Sequence, residues 1–489
     1  MRLFIAVLIT FFYVSNGLSQ KITILSKSDN RPIPDVAVYN KSKSKTTISD
    51  FDGIVDISEF SLNEIIYFEH ISHITRSYVK SKIIKKGGEI YLEIDENQLS
   101  EVFISISKWE QDKKDVTQKI VSITSEEIAL STPQTSADLL QSSGQVFVQK
   151  SQLGGGSPII RGFSTNRLLL TVDGVRMNTA IFREGNVQNV ISVDPFTVDR
   201  TEVILGPGSV VYGSDAVGGV MNFYTVEPKF AFKGENKISG NAMARYASAS
   251  QEKTGHIDFN IGLEKWAFLT SISYTDFDDL KMGSHGPDDY LRNEYIVTTP
   301  GSGLPFIDRV VQNSDPETQI FTGYDQINFL QKVRFVPNED WEASAGFIYT
   351  ETSDYPRYDR LIRRRDDNLR SAEWFYGPQK WLMGHFQLTN KQNSYMYDNL
   401  RFTAAYQHFQ ESRNDRDFRS EIFFKNEENV DAYSLNLDLE KTLGEKTSLY
   451  YGLEYILNHV HSKGTQRNIV SNEINMAPSR YPDGSTWQS

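Results

Sequence analysis

Glycine-rich runs are the feature of this 489-residue chain that most directly suggests chemistry. They extend from Gly154-Gly155-Gly156, through Gly206-Pro207-Gly208 and Gly213, to Gly218-Gly219. Backbone N–H groups bind phosphates where Gly-Lys-Ser/Thr occurs, or where Gly-x-Gly-x-x-Gly opens a helix. Here the spacing differs and no lysine stands in the required place. The pattern therefore favours glycines that adopt positive φ or allow close backbone packing.

Two side-chain pairs in the first hundred residues have the chemistry of metal ligands. Asp50 and Asp52 carry carboxylates suited to calcium, but the rest of an EF-hand loop, including its closing Glu, is missing. A hairpin turn is the better interpretation. His70 and His73 flank a predicted strand, but a zinc peptidase would need a Glu and a third ligand in register. We interpret them as surface histidines and expect no metal site.

Composition narrows the function classes further. The net charge is -12 and no long Lys/Arg tract occurs, which argues against nucleic acid as a partner. The absence of cysteine excludes disulfides, Fe–S clusters and thiolate zinc sites. No nucleophile with a neighbouring base and no pair of carboxylates emerges. The sequence therefore predicts a protein that is not an enzyme and holds no resident cofactor.

Short strands position the glycine runs. Runs rich in β-branched residues at 146–149, 168–172, 201–205 and 220–224 alternate with Gly, Asn and Asp clusters. This pattern is typical of a compact mixed domain with tight turns.

Linked motifs in this region resemble the plug domain of TonB-dependent outer-membrane receptors. The matching residues are Arg161, Gly162 and Phe163, then Asp173 and Gly174, then Gly206 and Pro207, then Tyr212, Gly213, Gly218 and Gly219. The resemblance implies a mixed α/β plug at residues 115–228, inside a transmembrane β-barrel of the Gram-negative cell outer membrane. It also implies that the plug and the preceding domain face the periplasm.

The N-terminal part has two predicted segments. A basic start and a 12-residue apolar run ending at Val14 predict a signal peptide over residues 1–19. Residues 20–95 contain regularly spaced strand candidates at 21–25, 36–39, 45–48, 54–57, 64–69 and 89–94, which predict a small antiparallel β-sandwich. This segment resembles the carboxypeptidase-regulatory-like domain that precedes the plug in many Bacteroidetes receptors.

Residues 96–114 form a predicted linker with one extended apolar patch. Its position resembles that of the TonB box, here Glu101, Val102, Phe103, Ile104 and Ser105. A flexible tether with unpaired backbone groups can add a strand to another protein. The resemblance implies TonB, with its inner-membrane energising proteins, as the partner. The alternative interpretation is a last strand of the sandwich.

From residue 229 to 489 the chain alternates with period two. In the segment 254–263, His256, Asp258 and Asn260 share one face, while Ile257 and Phe259 lie on the other. Strands of this kind are predicted at 237–247, 254–263, 266–274, 326–336, 341–350, 381–389, 399–409, 431–440 and 448–459. After a brief first connection, short turns alternate with long loops, which is typical of an outer-membrane barrel.

The predicted fold is therefore mostly β: a small N-terminal β-sandwich, a mixed α/β plug, and the first part, nine strands, of a barrel. Plugged transporter barrels have 22 strands. An open sheet would leave unsatisfied backbone groups in lipid, so we expect the sequence to be a truncated copy of a longer protein.

Several segments resemble the haem, haemoglobin and transferrin type within the TonB-dependent receptors. They are residues 157–167, 178–191, 353–361 and 372–379. The resemblance implies import of haem, or of iron from an iron-carrying protein, with outer-membrane lipid around the barrel and a haemoglobin-like carrier and a surface lipoprotein as further partners. The candidate substrate-facing residues are Phe182, Arg183, His285, Arg357 and Tyr358.

Haem needs axial ligands such as His or Tyr, and the predicted plug contains no histidine. His459 and His461 share the parity of Leu453 and Tyr455, so we expect them on the lipid side rather than at a ligand. Haem or chelated iron is thus a transported ligand in this interpretation. Open alternatives are a ferric siderophore, a peptide or a glycan as cargo, or a surface binding protein that does not transport.

Overall fold

The computed structural model describes residues 21–27, 30–41, 43–70, 73–85, 87–93, 102–104, 107–109, 111–112, 116–150, 153–177, 179–181, 188–231, 234–299, 307–444 and 447–489. The chain divides into two compact units, of which the first runs to Val102 and the second begins at Phe103, with Asp112–Asp115 grouped with the first. The predicted signal peptide lies outside the described residues. Among the described residues, no helix is long and apolar enough to cross a membrane.

The first unit contains two small sheets around a buried aliphatic core. Its elements are β1 (Lys21–Ser26), β2 (Ala37–Asn40), β3 (Thr46–Ile48), β4 (Ile54–Asp56), β5 (Ile65–His70), β6 (His73–Val79), α1 (Lys80–Lys85) and β7 (Glu89–Leu92). One sheet has the order β4-β1-β7 and the other β3-β2-β5-β6. The prediction of a purely antiparallel sandwich is wrong in one respect, because β1 and β7 pair in parallel.

The candidate metal ligands of this unit have structural partners. Asp50 Oδ1 accepts hydrogen bonds from the backbone N–H groups of Asp52 and Ile54, at 3.1 and 2.8 Å, within the predicted hairpin turn. Nδ1 of His70 lies 3.0 Å from Nδ1 of His73. The prediction of a surface position is wrong for His73, which is only 8% exposed. Strand β6 was not predicted from the sequence, because Thr75, Arg76 and Ser77 interrupt its apolar alternation.

A short paired segment, whose residues are divided between the two units, precedes the mixed domain of the second unit. The elements are β8 (Val102–Phe103), β9 (Gln111–Asp112), β10 (Ile120–Thr124), α2 (Ser125–Ser131), α3 (Ser136–Ser142), β11 (Phe147–Gln149), β12 (Ser157–Ile160), β13 (Phe163–Ser164), β14 (Leu168–Val172), β15 (Val175–Arg176), β16 (Val198–Ile204), α4 (Ser209–Tyr212) and β17 (Gly219–Thr225). The central sheet has the order β10-β16-β17-β14-β15, with β14 parallel to β17. Capping boxes at Thr124 and Thr135 fix the starts of α2 and α3.

A large antiparallel sheet follows this mixed domain. Its long strands are β18 (Lys237–Ala247), β19 (Glu252–Gly262), β20 (Trp266–Phe277), β25 (Tyr324–Phe335), β26 (Trp341–Thr352), β31 (Lys380–Asn390), β32 (Asn399–Asp417), β33 (Ile422–Gly444) and β34 (Thr447–Asn468). They pair in chain order. We call the end with the short connections the turn end, and the opposite end the loop end.

The loop end carries smaller elements. They are β21 (Leu280–Lys281), β22 (Glu294–Thr299), β23 (Ile307–Gln312), β24 (Thr318–Gln319), β27 (Tyr355–Pro356), α5 (Tyr358–Leu361), β28 (Arg364–Arg365), β29 (Asn368–Leu369), β30 (Ser371–Tyr376), β35 (Ile474–Ala477) and β36 (Ser485–Gln488). Arg416 is 1% exposed and its Nη1 and Nη2 donate to the Asp308 carboxylate at 2.9 and 2.8 Å. This ion pair fastens β23 to the end of β32.

The two faces of the large sheet differ sharply in chemistry. Its outward face exposes apolar side chains along successive strands, including Ile257, Ile272, Phe347, Leu435 and Leu453, the last at 76%. The opposite side buries polar residues such as Asn328, Gln407 and Asn458 against the mixed domain. An apolar exterior combined with a polar, filled interior is typical of a membrane-spanning sheet.

Candidate functional site

Two tight turns of the mixed domain are formed by residues of the resemblance motifs. Arg161 and Gly162 have φ of 49° and 84° and connect β12 to β13. Asp173 and Gly174 have φ of 50° and 79° and connect β14 to β15. Positive φ at both central residues is the signature of a type I′ hairpin turn, which favours Asx-Gly. The turn geometry thus explains the residue types Asp173 and Gly174. In contrast, Arg is an uncommon residue at a positive φ such as that of Arg161.

The glycine pair before β17 is required by packing. A Cβ on Gly218 would lie 2.4 Å from the Cβ of Phe163, and one on Gly219 would lie 2.8 Å from the carbonyl oxygen of Ile204. In contrast, a Cβ on Gly206 would meet no atom within 4 Å. The close-packing interpretation of the glycines is therefore confirmed at 218 and 219, and does not apply at 206.

Tyr212 and Gly213 complete the motif beside β17. The Tyr212 side chain is 6% exposed, and its hydroxyl accepts a hydrogen bond from Asn222 at 3.4 Å. Gly213 has φ of 77° and ends α4. Pro207 is exposed. These residues shape the mixed domain rather than a cavity.

Asp173 is the centre of a buried ion network between the mixed domain and the large sheet. Its carboxylate accepts hydrogen bonds from Thr225 N and Oγ1 at 2.8 and 2.7 Å. Lys332 Nζ, on β25, lies 3.1 Å from Asp173 Oδ2 and 2.6 Å from Glu227 Oε1. Burial acts to raise the pKa of Asp173, but the Lys332 ammonium and the Thr225 hydrogen bonds outweigh it, and the pKa lies below its usual range.

Further polar contacts hold the mixed domain against neighbouring strands. Asp194 is 5% exposed and accepts a hydrogen bond from Ser273 Oγ at 2.6 Å. Burial raises the pKa of this carboxyl. Gln387 and Gln407 each donate a side-chain hydrogen bond of 2.8 Å, to the carbonyl oxygens of Asp173 and Arg176 respectively. The mixed domain is therefore bound to the sheet by hydrogen bonds along its whole side.

The predicted TonB-box segment is partly described, since Glu101 and Ser105 lie outside the described residues. Val102 and Phe103 form β8, and the Ile104 N–H donates to the Glu202 carboxylate, 3.1 Å from Oε2. We call the described residues 102–104 and 107–109 the tether. In this conformation the tether contacts β16 through Glu202, and β8 pairs with β9.

Lys108 and Trp109 anchor the tether at the turn end of the large sheet. Lys108 Nζ lies 2.9 Å from Asp438 Oδ1 and 3.6 Å from Glu454 Oε2. Trp109 is 6% exposed, with the Arg401 guanidinium 4.7 Å from its ring centroid. Sequence reasoning missed this anchor. An isolated Trp beside Lys in a polar linker was the signal that could have indicated it.

At the loop end, an aromatic layer covers the mixed domain. Gly154 packs against Tyr324 and Tyr355, whose rings would lie 3.1 Å from an added Cβ. Tyr355 also packs on Tyr376, with ring centroids 5.3 Å apart, and all three tyrosines are at most 4% exposed. The Arg357 guanidinium lies above Tyr376 and donates to its hydroxyl at 3.0 Å.

The predicted substrate-facing residues occupy different environments. Arg357 and Tyr358 are 8% and 6% exposed, and the Tyr358 hydroxyl donates to the carbonyl of Tyr290 at 2.7 Å. Burial raises the pKa of Tyr358 to about 12. His285 is exposed and contacts Ser284 within the longest loop. Phe182 and Arg183 lie outside the described residues. Within the described ranges, no three His, Asp or Glu side chains gather closely enough to hold a metal ion.

Comparison with known proteins agrees with this arrangement. Residues 112–220 match the family described as TonB-dependent Receptor Plug Domain. The chain is 37% identical over 262 residues to the Vitamin B12 transporter BtuB of Vibrio vulnificus, covering 52% of this chain and 36% of that protein. It is 30% identical over 132 residues to the Hemin receptor of Yersinia pestis, covering 27% of this chain and 18% of that protein. The chain thus matches well under two thirds of the length of these relatives.

Solved structures show the same fold. The Copper transporter OprC superposes with a TM-score of 0.53 at 15% identity, covering 74% of this chain and 50% of that chain. The Serratia marcescens hemophore receptor HasR superposes with a TM-score of 0.52 at 15% identity, covering 72% of this chain and 46% of that chain. At this level of identity the likeness describes the backbone arrangement alone.

Proposed function

Because residues 112–220 match the family described as TonB-dependent Receptor Plug Domain, we propose that the protein is an importer of the cell outer membrane, driven by TonB pulling on the plug. The difference between the turn end and the loop end of the second unit supports this proposal. The tether is anchored at the turn end through Lys108 and Asp438, and the long loops cover the loop end. A partner at one end would then act on cargo bound at the other.

The outward face supports the proposed membrane location. Exposed Ile, Phe, Tyr and Leu side chains along the strands require an apolar surrounding, because contiguous apolar surface of this extent is costly in water. The proposed orientation places the turn end, the tether and the N-terminal sandwich in the periplasm. In this proposal the sandwich corresponds to the carboxypeptidase-regulatory-like domain, and the predicted domain limits at residues 95, 114 and 228 are retained.

For the cargo, we propose iron as haem or from a haem- or iron-carrying protein. The resemblance of residues 157–167, 178–191, 353–361 and 372–379 to the haem, haemoglobin and transferrin type of receptor supports this cargo. The name of the Hemin receptor among the similar proteins agrees with this cargo. The second candidate is another chelated metal compound, which the similarity to a vitamin B12 transporter favours.

In this proposal the tether is the segment that the partner binds and pulls. Strand addition by the partner needs the backbone N–H and C=O groups of this segment, so the partner would displace β9 from β8 and release the Ile104 N–H from Glu202. Pulling on this segment first loads the contacts of Ile104 with Glu202 and of Lys108 with Asp438. These contacts connect the tether directly to β16 of the plug and to β33. The force therefore reaches the plug before it reaches the ion network at Lys332.

Deletion of residues 101–106 tests this proposal in cells. We expect loss of energised uptake of haemin or iron, with cargo binding to the cell surface retained. A matched pair of point variants refines the test: Val102→Pro removes a backbone N–H needed for strand addition, whereas Val102→Ala keeps it. Full uptake by the deletion variant would contradict transport, and a Soret shift absent on adding haemin to the wild-type protein would contradict haem as cargo.

A further inference from the structure

Four polar residues connect the plug to strands β19 and β20 of the large sheet. Asp194 belongs to the plug, Ser273 lies on β20, and His256 and Asp258 lie on β19. Ser273 Oγ lies 2.6 Å from Asp194 Oδ2 and 2.8 Å from His256 Nδ1. His256 Nε2 in turn lies 3.2 Å from Asp258 Oδ2. We call these four residues the polar bridge, since their three contacts join the plug to two strands.

The centre of the polar bridge is buried. Ser273, Asp194 and His256 are 1%, 5% and 8% exposed. The His256 ring stacks on Phe196 of the plug, with the two ring centroids 4.9 Å apart. Asp194 Oδ1 accepts a hydrogen bond from the Phe196 N–H at 3.1 Å. With so little exposure, the polar atoms of the bridge depend on one another for hydrogen bonds.

The three contacts of the bridge need three protons. With ionised carboxylates, the Ser273 hydroxyl supplies one proton and a neutral His256 imidazole supplies a second. If the imidazole proton is on Nδ1, the lone pair of Nε2 faces the Asp258 carboxylate. If it is on Nε2, the single Ser273 proton has to serve both Asp194 and His256. A third proton satisfies all three contacts, either on His256 as imidazolium or on Asp194 as carboxylic acid.

The charges around the bridge favour the same third proton. Three carboxylates, those of Asp194, Asp258 and Glu252, surround one guanidinium, that of Arg245 on β18. Arg245 Nη2 lies 2.6 Å from Glu252 Oε1, and the Glu252 side chain is fully buried. Glu252 Oε2 also accepts a hydrogen bond from Gln134 of the plug at 2.6 Å. With a neutral imidazole, three negative charges thus face one positive charge, and a bound proton reduces this excess.

Further residues next to the bridge are uncharged or point outward. Strand β25 places Asn328 opposite Ser273. Lys253 of β19 and Asp276 of β20 have side chains that are 68% and 47% exposed. Burial raises the pKa of Asp194 and outweighs the hydrogen bonds that its carboxylate accepts. The surroundings therefore stabilise the protonated bridge.

We propose that docking of the plug against β19 and β20 binds one proton, shared between Asp194 and His256 through Ser273, so that this contact is pH-sensitive. When the plug leaves this wall, both groups regain water. A solvated imidazole loses its proton at about pH 6.5 and a solvated aspartic acid at about pH 3.9. The docked bridge retains the proton above these values. Docking is therefore strongest below about pH 6.5 and weakens as the pH rises through the range in which the docked bridge loses its proton.

Pulse proteolysis of the purified protein in detergent measures the strength of docking at different pH. The urea concentration that unfolds half of the plug at about pH 6.5 is kept constant while the pH is raised to about 8.5. One bound proton changes an equilibrium constant by up to about tenfold per pH unit. We expect the ratio of unfolded to folded plug to rise at least about tenfold over this range. An unchanged ratio in the wild type would overturn the proposal, whatever the variants show.

The variant Asp194→Asn imitates the protonated carboxyl group. Its amide nitrogen donates to Ser273 Oγ while its amide oxygen still accepts from the Phe196 N–H. Ser273 then donates to His256, and His256 to Asp258, without an additional proton. We expect the variant to lose the rise and to keep its plug docked at about pH 8.5 at least as firmly as the wild type. A rise of wild-type size in this variant would contradict the shared proton.

His408→Gln is the matched control. His408 Nδ1 also lies near an aspartate, 2.9 Å from Asp431 Oδ1, but this pair lies on the outward face and the His408 side chain is 35% exposed. The control variant should show the full rise. Loss of the rise in His408→Gln would contradict the proposal, because an exposed histidine would then carry the pH response.

This test is independent of the proposed transport, because it uses purified protein without TonB or cargo. A missing pH response would refute the shared proton alone. Energised uptake by the variant that lacks residues 101–106 would refute transport and leave the polar bridge unaffected.

Discussion

Replacement of Lys332 by Met is the sharpest perturbation of the contact between plug and sheet. Lys332 is 3% exposed and is paired with Asp173, whose side chain is 7% exposed. Removing one partner of such a pair leaves an uncompensated buried charge, which costs about 3–5 kcal/mol. Since 1.4 kcal/mol is about tenfold in an equilibrium constant, the population of undocked plug should rise at least about hundredfold.

A matched control is available on the outward face. Lys253 Nζ lies 3.9 Å from Asp276 Oδ2 and its side chain is 68% exposed. Exposed pairs contribute about 0–1 kcal/mol, so Lys253→Met should have almost no effect. The double variant Lys332→Met/Asp173→Asn should recover much of the loss, because it removes both buried charges and leaves only Glu227, whose side chain is 52% exposed, without the lysine.

Pulse proteolysis of the purified protein across a urea series measures these differences in plug unfolding. We expect cleavage of the plug at clearly lower urea in Lys332→Met than in wild type or Lys253→Met. Equal midpoints for the two lysine variants, or a double variant no more stable than Lys332→Met, would refute the assignment of Lys332 and Asp173 as a coupled buried pair.

Other residues of the plug and tether give further expectations. Gly218→Ala should destabilise the plug by about 1–3 kcal/mol through overpacking against Phe163. Gly206→Ala should leave the stability unchanged. The thermal unfolding temperatures of the two variants measure this difference. The pKa of Asp173 is lowered in the folded protein, so its stabilisation is present above the unfolded pKa of about 3.9 and is lost as pH falls through the lower folded value. Asp173→Asn should therefore flatten the acid side of the pH–stability curve. Lys108→Met should release the tether, seen as higher mobility of a spin label at Ile104→Cys in this cysteine-free chain.

Each of these expectations has a contradicting result. Equal melting of the two glycine variants would show that the plug backbone adapts around Phe163. If the variant Asp173→Asn lost stability with falling pH as steeply as the wild type, other carboxylates would be responsible for the acid response. Equal label mobility in Lys108→Met and its parent would show that the ion pair with Asp438 does not hold the tether.

Sequence reasoning located most of the large sheet because alternation survives wherever one face meets an apolar surrounding. Predicted strands at 341–350 and 381–389 agree with β26 and β31 to within two residues. The last three strands were predicted too short, since β32, β33 and β34 contain 19, 23 and 22 residues. The segments 410–417, 425–429 and 461–468 of these strands carry mostly charged and polar side chains on both faces, so the alternation that identifies a strand is lost there.

The period-two alternation of the strand predicts an outward position for His461. The structure confirms this position, because the His461 side chain is 62% exposed. The partners of the plug could not be predicted in the same way. Asp173 and Lys332 are far apart in sequence, and their contact depends on the orientation of the plug against β25. Likewise, the docking of Lys108 onto β33 and β34 depends on tertiary structure, because a polar linker has no periodicity to predict it.

Locking the plug to the sheet tests the central claim most directly, namely that import requires the plug to move. The backbone N–H of Ala180 lies 3.0 Å from Asn458 Oδ1, and the chain contains no native cysteine. The variant Ala180→Cys/Asn458→Cys therefore introduces one pair of thiols across this contact. We expect oxidation to abolish uptake while cargo binding persists, and reduction to restore uptake. Uptake at the wild-type rate with the disulfide formed would contradict the account.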